Sequence, residues 1–98
     1  MTDKLHNMGI QNNEQWVVFH CPGCEYNHSI PVTGIRKWDW NGSYSSPTIT
    51  PSILVNVGGV CPSVPICHSF VTEGSIAFLS DSTHKLAGQT VNIPDWDL

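Results

Sequence analysis

The stretch Phe19-His20-Cys21-Pro22-Gly23-Cys24 carries the most explicit chemistry in the sequence. Two cysteines separated by Pro-Gly form a tight knuckle that turns both sulfurs to one side, which is how half of a tetrahedral zinc site is made. Thiolate and imidazole ligands must converge on Zn2+ at about 2.0–2.3 Å, so further donors have to arrive from elsewhere in the chain. Cys61, Cys67, His28, His68 and His84 all qualify by chemistry. Adjacent strand residues point to opposite faces, so Cys67 and His68 do not both bind one ion in regular β geometry. Thiolates accompany thiolates in structural sites, which favours Cys67. His84 is the expected fourth ligand, with Cys61 as main competitor in an all-cysteine site and His28 and His68 as further candidates. A redox C-x-x-C would sit at a helix N-terminus that lowers the thiol pKa, and the residues after Cys24 read as strand instead.

The elements that must position these residues read as β throughout. Trp16-Val17-Val18-Phe19-His20 is rich in β-formers and delivers Cys21, while His28, Ile30 and Val32 share one face of a returning strand. Strand, turn and strand make a zinc-ribbon-like hairpin. Trp38-Asp39-Trp40-Asn41-Gly42 contains an Asn-Gly reversal. Ser52 to Val57 reads as a strand, and Ile66 to Thr72 and Ser75 to Ser80 flank Glu73-Gly74 as a hairpin. On the first arm of that hairpin Cys67, Ser69 and Val71 share one face, and Ile66, His68 and Phe70 the other. Asp81 to Gly88 is the one stretch with helix start and stop signals, for one or two turns at most. Thr90 to Ile93 alternates as a last strand. Residues 1–15 lack an apolar period and are expected to be loosely ordered, leaving 16–98 as a single zinc-binding β domain. The fold expected is therefore mainly β, a small zinc-stapled sheet or sandwich with at most one short helix.

Ninety-eight residues bury a smaller share of their surface than a larger domain does, so a cross-link or metal would help. No apolar run follows Met1 and none approaches the roughly 20 residues of a membrane span. A cytoplasmic location, with reduced thiols that favour metal over disulfides, is the expectation. Four basic residues against eight acidic ones leave a net charge of −4, which disfavours nucleic acid as a partner. The four tryptophans are expected to fill a limited core.

The motifs H-C-P-G-C (His20 to Cys24), W-x-W-N-G (Trp38 to Gly42), P-T-x-x-P-S (Pro47 to Ser52), C-H-S-F (Cys67 to Phe70) and D-x-x-H-x-L-x-x-Q-T-V-x-x-P (Asp81 to Pro94) occur in one order. Together they resemble the DUF6527 family of small phage and prophage proteins, commonly labelled "ammonia monooxygenase". That label does not fit: such enzymes are membrane-embedded and copper-dependent, and this chain has neither a span nor a comparable ligand set. The resemblance implies a metal site and a phage context in a bacterial host cytoplasm. The resulting expectation is a zinc-binding accessory protein, a protein-interaction module that engages a host or phage protein and leans away from enzymatic activity. The alternative is a zinc-dependent hydrolase acting on a peptide, amide or related bond, with a metal-bound water and His68, Asp81 or Glu25 as general base. The deaminase and H-E-x-x-H patterns are absent.

Overall fold

The structure, a computed structural model, describes residues 3–56 and 65–96. Among the described residues, eight strands form two antiparallel sheets. The first contains β1 (His6–Gln11), β2 (Glu14–His20) and β3 (Asn27–Pro31), in the order β1-β2-β3. The second contains β4 (Asp39–Trp40), β5 (Ile49–Val55), β6 (Cys67–Thr72), β7 (Ser75–Phe78) and β8 (Thr90–Asn92), in that order. No helix occurs among the described residues. The stretch 81–88 is a run of turns, with Ala87 N–H donating to His84 O and Gln89 N–H to Leu86 O.

Two hairpins show why these residues reverse where they do. Glu73 and Gly74 both take positive φ, 49° and 82°, as a two-residue turn matching strand twist requires. Asn12 and Asn13 do the same at 53° and 63°, joining β1 to β2. The N-terminal segment is therefore ordered where the sequence reading expected a loose end. β1 is exposed at nearly every position, so it has no apolar alternation to read. It is held by backbone pairing to β2, and Leu5 just before it is buried, with Lys4 and Leu5 N–H donating to Tyr44 O. At Asn41-Gly42 the chain reverses, with Gly42 at φ 83°, but the strands pair beyond the turn, at Trp40↔Ile49 and Asp39↔Thr50.

Side chains from both sheets share one core: Val17, Phe19 and Ile30 from the first, and Ile49, Ile53, Val71, Ile76 and Phe78 from the second. None of the tryptophans is fully buried; Trp38 and Trp40 pack against the rim of this core. The aliphatic residues and Phe19 fill the centre, which is why the rings do not need to. On β6 Cys67, Ser69 and Val71 face inward, while His68 and Phe70 face out.

Candidate active site

β5 does not run straight. Ile49 pairs with Val71 and Ile53 with Ser69, so Thr50, Pro51 and Ser52 stand opposite the single residue Phe70. Pro51 has no N–H for the ladder, and the Thr50–Pro51 bond is cis. Bulges re-aim side chains, and this one brings Ser52 Oγ to 3.0 Å from His68 Nε2. On the other side of the ring, His68 Nδ1 lies 3.0 and 3.2 Å from the two carboxylate oxygens of Asp81.

A turn after β7 supplies Asp81. Leu79 N–H donates to His68 O at 2.8 Å, and the buried Ser82 hydroxyl accepts from His68 N–H at 3.0 Å while donating to His68 O at 3.2 Å. The backbone of His68 is thus clamped by the residue next to Asp81. With Nδ1–H donating to the carboxylate, Nε2 presents its lone pair to the Ser52 hydroxyl, the arrangement of an activated serine. His68 is 23% exposed and Asp81 59%, so this pair is open to solvent on the outer face of the sheet. Ser82→Ala should leave the protein folded yet slow acylation of Ser52 by up to about a hundredfold, since small misplacements of a reacting group have that effect. Burst kinetics on an activated ester, with Ser82→Thr as rescue, check this; equal rates in wild type and Ser82→Ala would remove the clamp from the account.

Behind the same strand lies a second cluster. One ligand atom each from Cys21, Cys24, His28 and Cys67, all buried, lie within 4.8 Å of one another. Cys21 Sγ is 3.8 Å from Cys67 Sγ, and Cys24 Sγ is 3.1 Å from His28 Nε2. A tetrahedron with metal–sulfur bonds of about 2.3 Å has sulfur–sulfur edges of about 3.8 Å, so the spacing suits a four-coordinate ion. The four residues could hold a metal ion. The knuckle closes by Cys21 N–H donating to Tyr26 O and Glu25 N–H to Cys21 O, both at 2.9 Å. His28 enters because β3 alternates, turning Asn27 and Ser29 out and His28 and Ile30 in.

Without an ion the cluster divides its charge unevenly. Hydrogen bonds from Cys24 and then Cys67 hold the Cys21 thiol far below its ordinary range, and its hydrogen bond to Cys21 pushes Cys67 up. Burial lowers His28, but hydrogen bonds to Cys21 and Cys24 outweigh it and raise the imidazole to about 9. A dication would let all three thiolates ionise together with a neutral imidazole.

His84, expected from sequence as the fourth ligand, lies outside the cluster. Its ring meets Phe78 edge-on at 4.4 Å and occupies the space above Gly23, where any side chain would overlap it. Burial lowers its pKa. His68 also stands apart from the cluster, on the opposite face of β6, and Cys61 lies outside the described residues. Glu25 is exposed on the knuckle, 4.0 Å from Lys85 Nζ. Gly23→Ala should therefore destabilise the fold by about 1–3 kcal/mol, the usual range for overpacking. A thermal melt checks it, and an unchanged midpoint would mean that His84 moves freely aside.

Residues 2–79 of the 98 match the family described as bacterial ubiquitination-like system serine protease (BubE). The chain belongs to the BubE family. No curated protein and no solved structure matches it. The BubE match overturns the assignment to the DUF6527 phage proteins, and with it the reading of a phage accessory interaction module. A hydrolase, the alternative raised from sequence, is closer to the BubE description. The matched segment contains Ser52 and His68, and Asp81 follows two residues beyond it.

Sequence reasoning singled out His68 and Asp81 but not Ser52. A strand serine after Thr-Pro carries no local signature comparable to G-x-S-x-G. Only the bulge reveals its partner.

Proposed function

We propose that this protein is a serine peptidase of a bacterial ubiquitination-like system, with Ser52 as nucleophile, His68 as general base and Asp81 as the group that orients and stabilises the imidazolium. The observation that carries the reading is the unbroken hydrogen-bond chain from Ser52 Oγ through His68 to Asp81. As Ser52 Oγ attacks the scissile carbonyl carbon, its proton passes to His68 Nε2; the same proton then goes to the leaving amine as the C–N bond breaks. Water, deprotonated by His68, hydrolyses the acyl-Ser52 ester and restores the serine. Asp81 accepts from Nδ1–H throughout and keeps the proton there.

In this reading Cys21, Cys24, His28 and Cys67 hold Zn2+ as a structural ion, because three thiolates and an imidazole in tetrahedral array are a zinc set. Bound there, the ion supplies folding energy. With four protein ligands it leaves no position for a reactive water, which distinguishes this reading from the metal-water hydrolase considered from sequence. Cys67 and His68 are neighbours on β6, so the same strand is pinned on its inner face by metal and presents the base on its outer face. Reduced cysteines suit a cytoplasmic setting, and no helix among the described residues is long and apolar enough to cross a membrane.

Stopped-flow hydrolysis of p-nitrophenyl acetate tests the proposal. A burst of nitrophenol close to one equivalent per protein, absent in His68→Ala, is the expected mark of an acyl-serine intermediate. A folded wild-type protein that shows no burst and no turnover would refute it.

A further inference from the structure

β5 is covered on only part of its outer edge. β4 pairs with Ile49 and Thr50 alone, so among the described residues no strand of the sheet lies on that side from Ser52 onward. β3 is likewise the terminal strand of its own sheet. Between the two edges runs a groove of about 240 Å³ lined by Asn27 to Ile30 of β3, Ile53 to Val55 of β5, and Trp38. Consecutive strand residues point to opposite faces, so a cavity that touches each of them in turn follows the strand edges.

The direction of the backbone groups can be read from their partners. His68 spends its N–H on Ser82 and its C=O on Leu79 and Ser82, all away from β5. Leu54 pairs with His68, so theirs is a non-hydrogen-bonded pair, and the Leu54 N–H and C=O point outward into the groove. Ser52, two residues earlier, also turns its carbonyl that way, where Trp38 Nε1–H takes it at 3.3 Å. On β3, Pro31 O points outward to Trp38 N–H at 2.9 Å, so Ser29, two residues back, presents its N–H and C=O to the same side. Among the described residues neither Leu54 nor Ser29 has a protein partner for these groups. Trp38 closes the end of the groove beside Ser52.

We infer that the substrate binds as an extended peptide strand in this groove, exchanging main-chain hydrogen bonds with Leu54 and placing its scissile carbonyl at Ser52, two residues or about 7 Å along β5. The inference rests on the reading of Ser52 as nucleophile. No carboxylate, lysine or arginine lines the groove among the described residues, so the segment it takes is uncharged. Ser52 lies next along β5 from the lining residue Ile53, at the end where Trp38 stands, and a nucleophile there favours a peptide to be cut over a permanent partner strand.

The test uses a proteome-derived library of unstructured peptides read by mass spectrometry, alongside a small fluorophosphonate that needs only an activated serine. Leu54→Pro removes the outward N–H without touching the ladder to β6. Loss of that main-chain hydrogen bond should reduce library cleavage by about three- to tenfold, while fluorophosphonate labelling of Ser52 stays at the wild-type rate. Library cleavage unchanged in Leu54→Pro overturns the inference. So does a wild-type protein that is labelled at Ser52 and cuts no peptide, whereas absence of labelling refutes the serine reading itself. Should Leu54→Pro misfold, backbone N-methylation of a cleaved peptide at successive positions serves with the wild-type enzyme. One methylated position should block cleavage, and cleavage of every methylated peptide counts against the groove. A wild-type dimer that Leu54→Pro makes monomeric, with cleavage intact, assigns the edge to a second copy of this chain and overturns the inference.

Discussion

Ser52→Ala should reduce peptide hydrolysis by about 10⁵-fold or more while leaving the thermal melt in place, because removal of the nucleophile of a Ser-His-Asp unit has effects of that size. Ser52 is half-buried in a bulge and makes its hydrogen bond to a partly exposed ring, so its hydroxyl is not part of the core. His68→Ala should be nearly as damaging, and the double variant little worse than either, since the two act as a unit. Asp81→Asn should lose about 10⁴-fold by stabilising the wrong tautomer. Steady-state rates on a cleaved library peptide measure all four. Additive losses, or a Ser52→Ala enzyme within tenfold of wild type, would contradict the assignment of roles.

The second large effect concerns the metal. Structural zinc contributes about 10–16 kcal/mol of apparent binding energy in small domains, comparable to or above the about 5–15 kcal/mol by which a whole domain is stable. Cys21→Ser, Cys24→Ser, Cys67→Ser and His28→Ala should each abolish stoichiometric zinc and the cooperative melt. His84→Ala should retain the metal, because its ring packs on Gly23 and Phe78 outside the cluster. Elemental analysis and calorimetry decide between these. Replacement of Zn2+ by Cd2+ should leave hydrolysis unchanged, since no chemical step passes through the ion; a rate that follows the metal's identity would return the chemistry to the cluster.

Much of this was legible in the residues and some was not, for identifiable reasons. The C-x-x-C knuckle and the Glu73-Gly74 hairpin rest on local backbone chemistry, so spacing alone located them. The alternation on β6 correctly separated Cys67 from His68 and so put that histidine on the face away from the cysteines. β1 escaped because an exposed edge strand joined by Asn-Asn has no hydrophobic period. His84 was preferred to His28 on sequence position. Inward alternation of β3, directly after the knuckle, brings His28 to the cysteines instead, and that depends on which face of the first sheet meets the second. Ser52 depends on three β5 residues opposing one on β6, a mismatch between two strands that neither strand's sequence contains.

The central claim is that Ser52 is activated by His68 and Asp81, and covalent labelling tests it most directly. The purified, zinc-loaded protein is treated with a fluorophosphonate, digested, and mapped by tandem mass spectrometry. One adduct per chain, on Ser52, is expected in wild type, and it should be lost in His68→Ala although the serine is present. An adduct elsewhere, equal labelling in His68→Ala, or no adduct on a folded protein would contradict it.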